Sequence, residues 1–227
     1  MKLKFLPNIE IKLILSSRAR QITLRVSSLD GRVRVTAPKH ASLSEIKKFL
    51  YQKEGWVLRK RSEIPQKLDV NIGTVIPYRG REIKLINHCE QHTKLSGNLL
   101  LIPQSKKGVG RITTEFLKQA ARKQFEYEAT LYSEKLGKPY TKISLRDTRS
   151  RWGSCNDKKA LMFSWRLVMA PPEVLSYVAA HEVAHLQHMN HSEQFWKEVM
   201  HLYGRHQKER QWLRENGALL HRYSFSH

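Results

Sequence analysis

Residues 181–191 read His-Glu-Val-Ala-His-Leu-Gln-His-Met-Asn-His. The residue types and their spacing suit a metal site that activates water. On a helix, positions i and i+4 share a face, so His181 and His185 can aim imidazole nitrogens at one point. Neutral imidazole is a zinc ligand, and a catalytic zinc takes three protein ligands and leaves a fourth position for water. Glu182 lies one residue further round the helix, beside such a metal rather than on it. There it can accept the proton that a bound water gives up, as a general base. The expected cofactor is Zn2+, and the expected chemistry is metal-assisted hydrolysis.

The third ligand requires a turn in the chain. In a continuous helix His191 would lie about 240° round from His185 and would miss the metal. Met189-Asn190 is the expected turning point, because asparagine tolerates the left-handed conformation that ends helices. His188 is the rival third ligand, but its i+3 and i+7 offsets from His185 and His181 continue a single helical face. The spacing therefore favours His181, His185 and His191. His-Glu-x-x-His is the zinc metallopeptidase signature. The offset of His191 equals that of the metzincins, although His188 stands where they carry glycine.

The elements around the motif must hold it in place. Pro171-Pro172-Glu173 suits a helix start, with proline in the first turn and an acid at the positive end of the dipole. Leu175, Val178, Ala179, Val183 and Leu186 then recur at helical spacing, which predicts a helix over 171–189. Residues 160–170 alternate large apolar side chains at Leu161, Phe163, Trp165, Leu167 and Met169, a strand pattern. Such a strand could pair with an extended peptide substrate or could be an ordinary core strand. Residues 150–156, Ser-Arg-Trp-Gly-Ser-Cys-Asn, read as a tight turn, with Asn156-Asp157 closing a hairpin.

Arg151-Trp152-Gly153-Ser154-Cys155, Trp165-Arg166-Leu167, Ala170-Pro171-Pro172, the 181–191 motif and His191-Ser192-x-x-Phe195-Trp196 follow one another in a fixed order. In this the chain resembles the YgjP-like metallopeptidase family, which is related to the WLM and SprT-like zinc peptidases. Upstream, Ser17-Arg18-Ala19-Arg20, Gly31-Arg32-Val33-Arg34-Val35, Ala37-Pro38 and Trp56-Val57 extend the likeness, as Trp212-Leu213 does at the tail. The resemblance implies a zincin-like catalytic domain, zinc on His181, His185 and His191, and Glu182 as the base. It names no substrate beyond a peptide or protein.

The chain has 227 residues and a formal net charge of +21. That length suits one large domain or two small ones. No run of 18 apolar residues is present, so no membrane span is expected. The first residues lack the apolar core and cleavage site of a secretory signal, and two cysteines are too few to staple a secreted scaffold. A cytoplasmic protein is the expectation, with Cys155 a core thiol at a strand end. The charge is uneven: residues 1–62 hold 15 Lys and Arg against 4 Asp and Glu, a net of +11. Alternation in Ile22-Thr23-Leu24-Arg25-Val26 and Arg32-Val33-Arg34-Val35-Thr36 puts arginines on the solvent side of two strands, with Asp30-Gly31 turning between them. A basic sheet face is either a footprint for nucleic acid or another polyanion, or simply a solvated surface.

The expected fold is α+β. A mostly β amino-terminal region with one helix, residues 1–105, precedes a zincin-like catalytic domain, residues 106–227, built on a small antiparallel sheet and the metal-binding helix. Within the first region, residues 5–37 read as strands. Ser42 and Glu45 form a capping box for a helix to about Arg61, and residues 70–103 read as short strands broken at Gly73, Pro77, Gly80 and Gly97. Lys106 to Gly110 is the expected linker, and Thr113-Thr114-Glu115 opens a helix to about Leu136. A further helix is expected over about 192–203. Arg151, His201, Tyr203 and His206 are chemically able to stabilise an oxyanion, and spacing does not choose among them. Two rival functions stand beside hydrolysis: a nucleic-acid-associated zinc protein, and a structural zinc module closed by a fourth ligand such as Cys155.

Overall fold

A computed structural model of the chain describes residues 9–27, 29–104 and 108–225. Contacts divide the chain into two compact units, residues 1–66 and 67–227. In the first unit, strands β1 (Ile11–Ser16), β2 (Thr23–Val26) and β3 (Val33–Pro38) form a sheet of order β1-β3-β2. β2 pairs antiparallel with β3 and β1 pairs parallel to it. The expected alternation holds: Val33, Val35 and Ala37 are buried, while Arg25, Arg32 and Arg34 are exposed. Gly31 turns between the strands at φ 68°, a conformation that favours glycine. The expected strand residues 5–8 lie outside the described residues.

Helices α1 (Leu43–Gln52) and α2 (Glu54–Ser62) supply Ile46, Leu50 and Val57 to the core of that sheet. The capping box forms: the Ser42 N–H donates to Glu45 Oε2 at 2.7 Å and the Glu45 N–H to Ser42 Oγ at 3.1 Å. The single helix expected over 42–61 is two, because Lys53 leaves helical geometry at φ −103° and ψ 6°. The apolar stripe survives the break, which is why spacing alone conceals it.

In the second unit, β4 (Leu68–Asp69), β5 (Val75–Tyr78), β6 (Arg81–His88), β7 (Lys94–Ser96) and β8 (Leu99–Pro103) precede the long helix α3 (Val109–Leu136). Four of these strands form a sheet of order β5-β6-β8-β7. Pro77 does not break its strand; it sits inside β5, an edge where a missing N–H is tolerated. The divide at 66/67 differs from the boundary expected at 105/106. Ile83, Leu85, Leu100 and Ile102 of the sheet share one core with Leu117 and Phe125 of α3, so the sheet belongs with the carboxy-terminal elements. Of the expected linker, Lys106 and Lys107 lie outside the described residues. Gly108, at φ 77°, precedes a helix that starts at Val109, not at Thr113. The Thr113 hydroxyl donates back to the Val109 carbonyl at 2.8 Å instead of capping.

Strands β9 (Lys142–Arg146), β10 (Gly153–Cys155) and β11 (Ala160–Ser164) form a second sheet of order β10-β11-β9. The sheet is mixed, not antiparallel, since β11 runs parallel to β9. β11 stops at Ser164, and residues 165–169 form a 3-10 helix in place of the expected strand. All of Trp165 to Ala170 are buried, and where every side chain is covered, alternation of size no longer distinguishes strand from helix. Helices α4 (Pro172–Ala184), α5 (Glu193–Leu202) and α6 (Gln207–Asn216) come next, and β12 (Tyr223–Ser224) pairs with β4. α6 has no counterpart in the sequence reading.

Two polar clusters fix α4 and the tail. Ser176 Oγ donates to Glu128 Oε2 at 2.8 Å, so the Tyr132 hydroxyl, 2.7 Å away, donates to Ser176. These bonds tie α4 to α3. Arg166, buried, grips Asp147 through two bonds of 2.7 and 3.0 Å and the carbonyls of Leu220 and Tyr223 at 2.8 and 3.0 Å. Among the described residues no helix is long and apolar enough to cross a membrane.

Candidate metal centre

His181 and Glu182 occupy the last turn of α4, which is buried along most of its length. The helix ends at Ala184, five residues before the expected end at 189, and His185 is its C-cap. The N–H groups of Leu186 and Gln187 bond to carbonyls three residues back, at 2.9 and 3.1 Å, so the last turn tightens and the chain departs early. Asn190 still serves the reversal, accepting from the Ser192 N–H at 3.3 Å. Ser192 then caps α5, its Oγ accepting from the Phe195 N–H at 3.5 Å.

This path returns His191 to the other two histidines. The Nε2 atoms of His181 and His191 lie 3.1 Å apart. One ligand atom from each of His181, His185 and His191 falls within 4.8 Å of the others. Two nitrogens bound to one zinc at a tetrahedral angle would be roughly 3.3 Å apart, a spacing the His181–His191 pair already approaches, and the wider separations in the cluster would have to close on a bound ion. The His185 Nδ1–H donates to the His188 carbonyl at 2.8 Å, which leaves the His185 Nε2 lone pair free for a metal. His188 thus serves the cluster through its backbone, and its ring is not part of it. Phe195, fully buried, forms the floor, with ring centroids 4.9, 4.5 and 4.8 Å from those of His181, His185 and His191.

Burial also sets the charge state. It pushes His181 down to about 3, reinforced by His185 and His191, and it lowers His185, although the His188 carbonyl pulls back. Neutral imidazoles are the form that binds a metal. The His181 Nδ1 is buried and has no hydrogen-bond partner. Three imidazole nitrogens brought together make a donor set suited to zinc or a similar divalent ion.

Glu182 is buried beneath β10. Burial pushes its carboxyl up to about 8, while the Arg151 charge and the Cys155 N–H pull it back. A Cβ on Gly153 would come within 2.5 Å of Glu182 Cγ and 2.6 Å of Oε1, so only glycine admits the carboxylate here. Residues 153–155 are therefore an edge strand, not the tight turn expected, and the turn lies just beyond, where Asn156 Oδ1 accepts from Lys158 and Ala160. The sequence gives no warning of this role for Gly153. β11 is the central strand of its sheet, so an extended peptide cannot pair with 160–164; the edges are β9 and β10, and β10 is the one that covers Glu182. Cys155 lies at the end of that strand, as expected. Its thiol is pushed up to about 11 by burial and by Glu182, and it does not join the histidine cluster.

The four oxyanion candidates separate. Arg151 and His201 are exposed, and the Tyr203 hydroxyl donates to the Glu173 carbonyl at 3.1 Å. His206 is buried, its ring stacked between Tyr177 at 5.4 Å and Trp196 at 5.5 Å. Tyr177 in turn meets the His181 ring edge to face at 6.0 Å. It is four residues before His181, on the same helical face, a spacing that could have flagged it.

No curated protein matches the chain. A crystal structure of the metallopeptidase zymogen abylysin from Pyrococcus abyssi is similar over 42% of this chain and 94% of its own, at 19% identity and a TM-score of 0.37. The YgjP-like metallopeptidase domain matches residues 20–216. With nearly the whole chain inside that match, the protein belongs to the YgjP-like metallopeptidase family.

Proposed function

We propose that the protein is a zinc-dependent peptidase that hydrolyses peptide bonds, with His181, His185 and His191 holding the metal and Glu182 as general base. One observation carries the reading: three imidazole nitrogens converge, and Glu182, next to His181 on α4, is a buried carboxyl covered by an edge strand. A divalent metal held there would supply a bound water of lowered pKa and polarise a carbonyl. Glu182 accepts the proton released on attack and delivers it to the leaving amine. Gly153 lets that carboxyl lie against the strand, and the outer edge of β10 offers main-chain partners to an extended peptide whatever its side chains. Phe195 packs against all three imidazoles.

The test is Glu182→Gln, measured on an unfolded protein that the wild type cleaves, with metal content determined in parallel. The amide keeps the shape but cannot take the proton. Metal and fold should persist, while turnover drops by about 10² to 10⁴. Retained activity would place the base elsewhere, and loss of metal would make Glu182 a ligand. Gly153→Ala should also lower turnover with metal retained, by displacing the same carboxyl.

A further inference from the structure

The first unit has a face that peptide hydrolysis does not use. Lys12 is paired in register with Arg34, and Arg34 with Arg25, so three cations from three adjacent strands form one row across the sheet. All three are exposed, and none has an ion-pair partner among the described residues. Neighbouring strands are about 4.8 Å apart, and like charges directly opposite each other destabilise a sheet. The sheet thus carries a built-in repulsion that a bound polyanion would relieve. Two acids stand nearby: Glu10, two residues before Lys12, and Asp30, which is engaged by Arg32 at 3.4 Å. Arg18 and Arg20, both exposed, lie in the connection from β1 to β2.

The rest of the face says which polyanion. Beside the row, the register aligns Ile14, Thr36 and Thr23, so the outward positions offer hydroxyls and no aromatic ring. Proteins that hold single strands stack bases on aromatic side chains, and this face cannot. Lysine, arginine and threonine instead suit the phosphates of a duplex, which are contacted without reading sequence.

We infer that the outer face of the β1-β3-β2 sheet binds the phosphate backbone of double-stranded nucleic acid through the Lys12–Arg34–Arg25 row. The inference does not depend on the peptidase reading, since it concerns binding alone.

The experiment titrates the full chain into a labelled duplex of arbitrary sequence at several salt concentrations, followed by fluorescence anisotropy. Wild-type affinity should fall steeply with salt, because each neutralised phosphate contributes about 0.9 to the log–log slope. Replacing Lys12, Arg25 and Arg34 together by threonine, a residue that suits strands, should flatten that slope by about 2 to 3. Replacing the exposed Lys84, Lys118 and Lys123 of the second unit removes the same charge and should change it by less than about 1. The row variant should melt at or above the wild-type temperature, since the opposed cations are gone. Absence of binding in dilute salt, an equal effect of the two triple variants, tighter binding to a single strand of the same length, or full competition by polyglutamate would each overturn the proposal. So would a large fall in the melting temperature of the row variant, which would make the row structural.

Discussion

The Arg166 cluster and the histidine cluster both lie in the second unit, and they are finished differently. Arg166 has Asp147 on two of its nitrogens and two tail carbonyls on a third. At the metal centre, His181 keeps a buried nitrogen without a partner, and its Nε2 faces the Nε2 of His191 at 3.1 Å. Burial of an unpaired polar group costs roughly 1–3 kcal/mol. The chain accepts that cost at α4 and avoids it at Arg166. A cluster whose bonds are all made within the chain holds the fold, whereas one with converging lone pairs left over is poised for something the chain does not itself contain.

The sharpest way to break this contrast is at the third histidine. His191→Ala should weaken metal binding by more than about 100-fold, because outer residues alone account for about 10- to 100-fold at such sites. His188→Ala should change it little, since the carbonyl that holds His185 belongs to the backbone. Competition with a chelator measures both, and the reverse ranking would show that the wrong ring has been assigned.

Arg166→Met should leave metal content per folded chain unchanged but destabilise the second unit by about 2–3 kcal/mol. Breaking a buried ion pair costs about 3–5 kcal/mol, and Asp147, with its side chain 46% exposed, is partly screened. Thermal melting reads the loss, and a variant that melts like the wild type would remove the distinction between the clusters.

A smaller effect concerns His221, which packs against Trp152 at 5.3 Å. Burial and then the Arg166 charge push His221 down from 6.5 to about 4, Arg149 acts in the same direction and Asp147 opposes it. A folded-state value below the unfolded one means that this contribution is complete above about 6.5 and is lost as pH falls towards 4. The wild type should therefore lose melting temperature over that range faster than His221→Gln, by less than the Arg166→Met effect. Parallel curves would show that His221 does not titrate in this way.

Local spacing was enough to single out the three histidines that the fold brings together. Helical periodicity places His181 and His185 together, and a histidine six residues on demands a turn; these are local properties of a chain with 3.6 residues per helical turn. The capping box at Ser42 and Glu45 and the turn at Gly31 were legible for the same reason, because each is closed by residues within a few positions of one another. Packing between distant segments settled the rest. Where α4 ends depends on the path the chain must take to return His191, so the helix stops at Ala184 and not at 189. Gly153 matters because a carboxyl 29 positions away needs the space a Cβ would fill. The division at 66/67 comes from which apolar faces share a core, and the Lys12–Arg34–Arg25 row from strand register. Pairings of this kind join residues distant in sequence, and no local period encodes them.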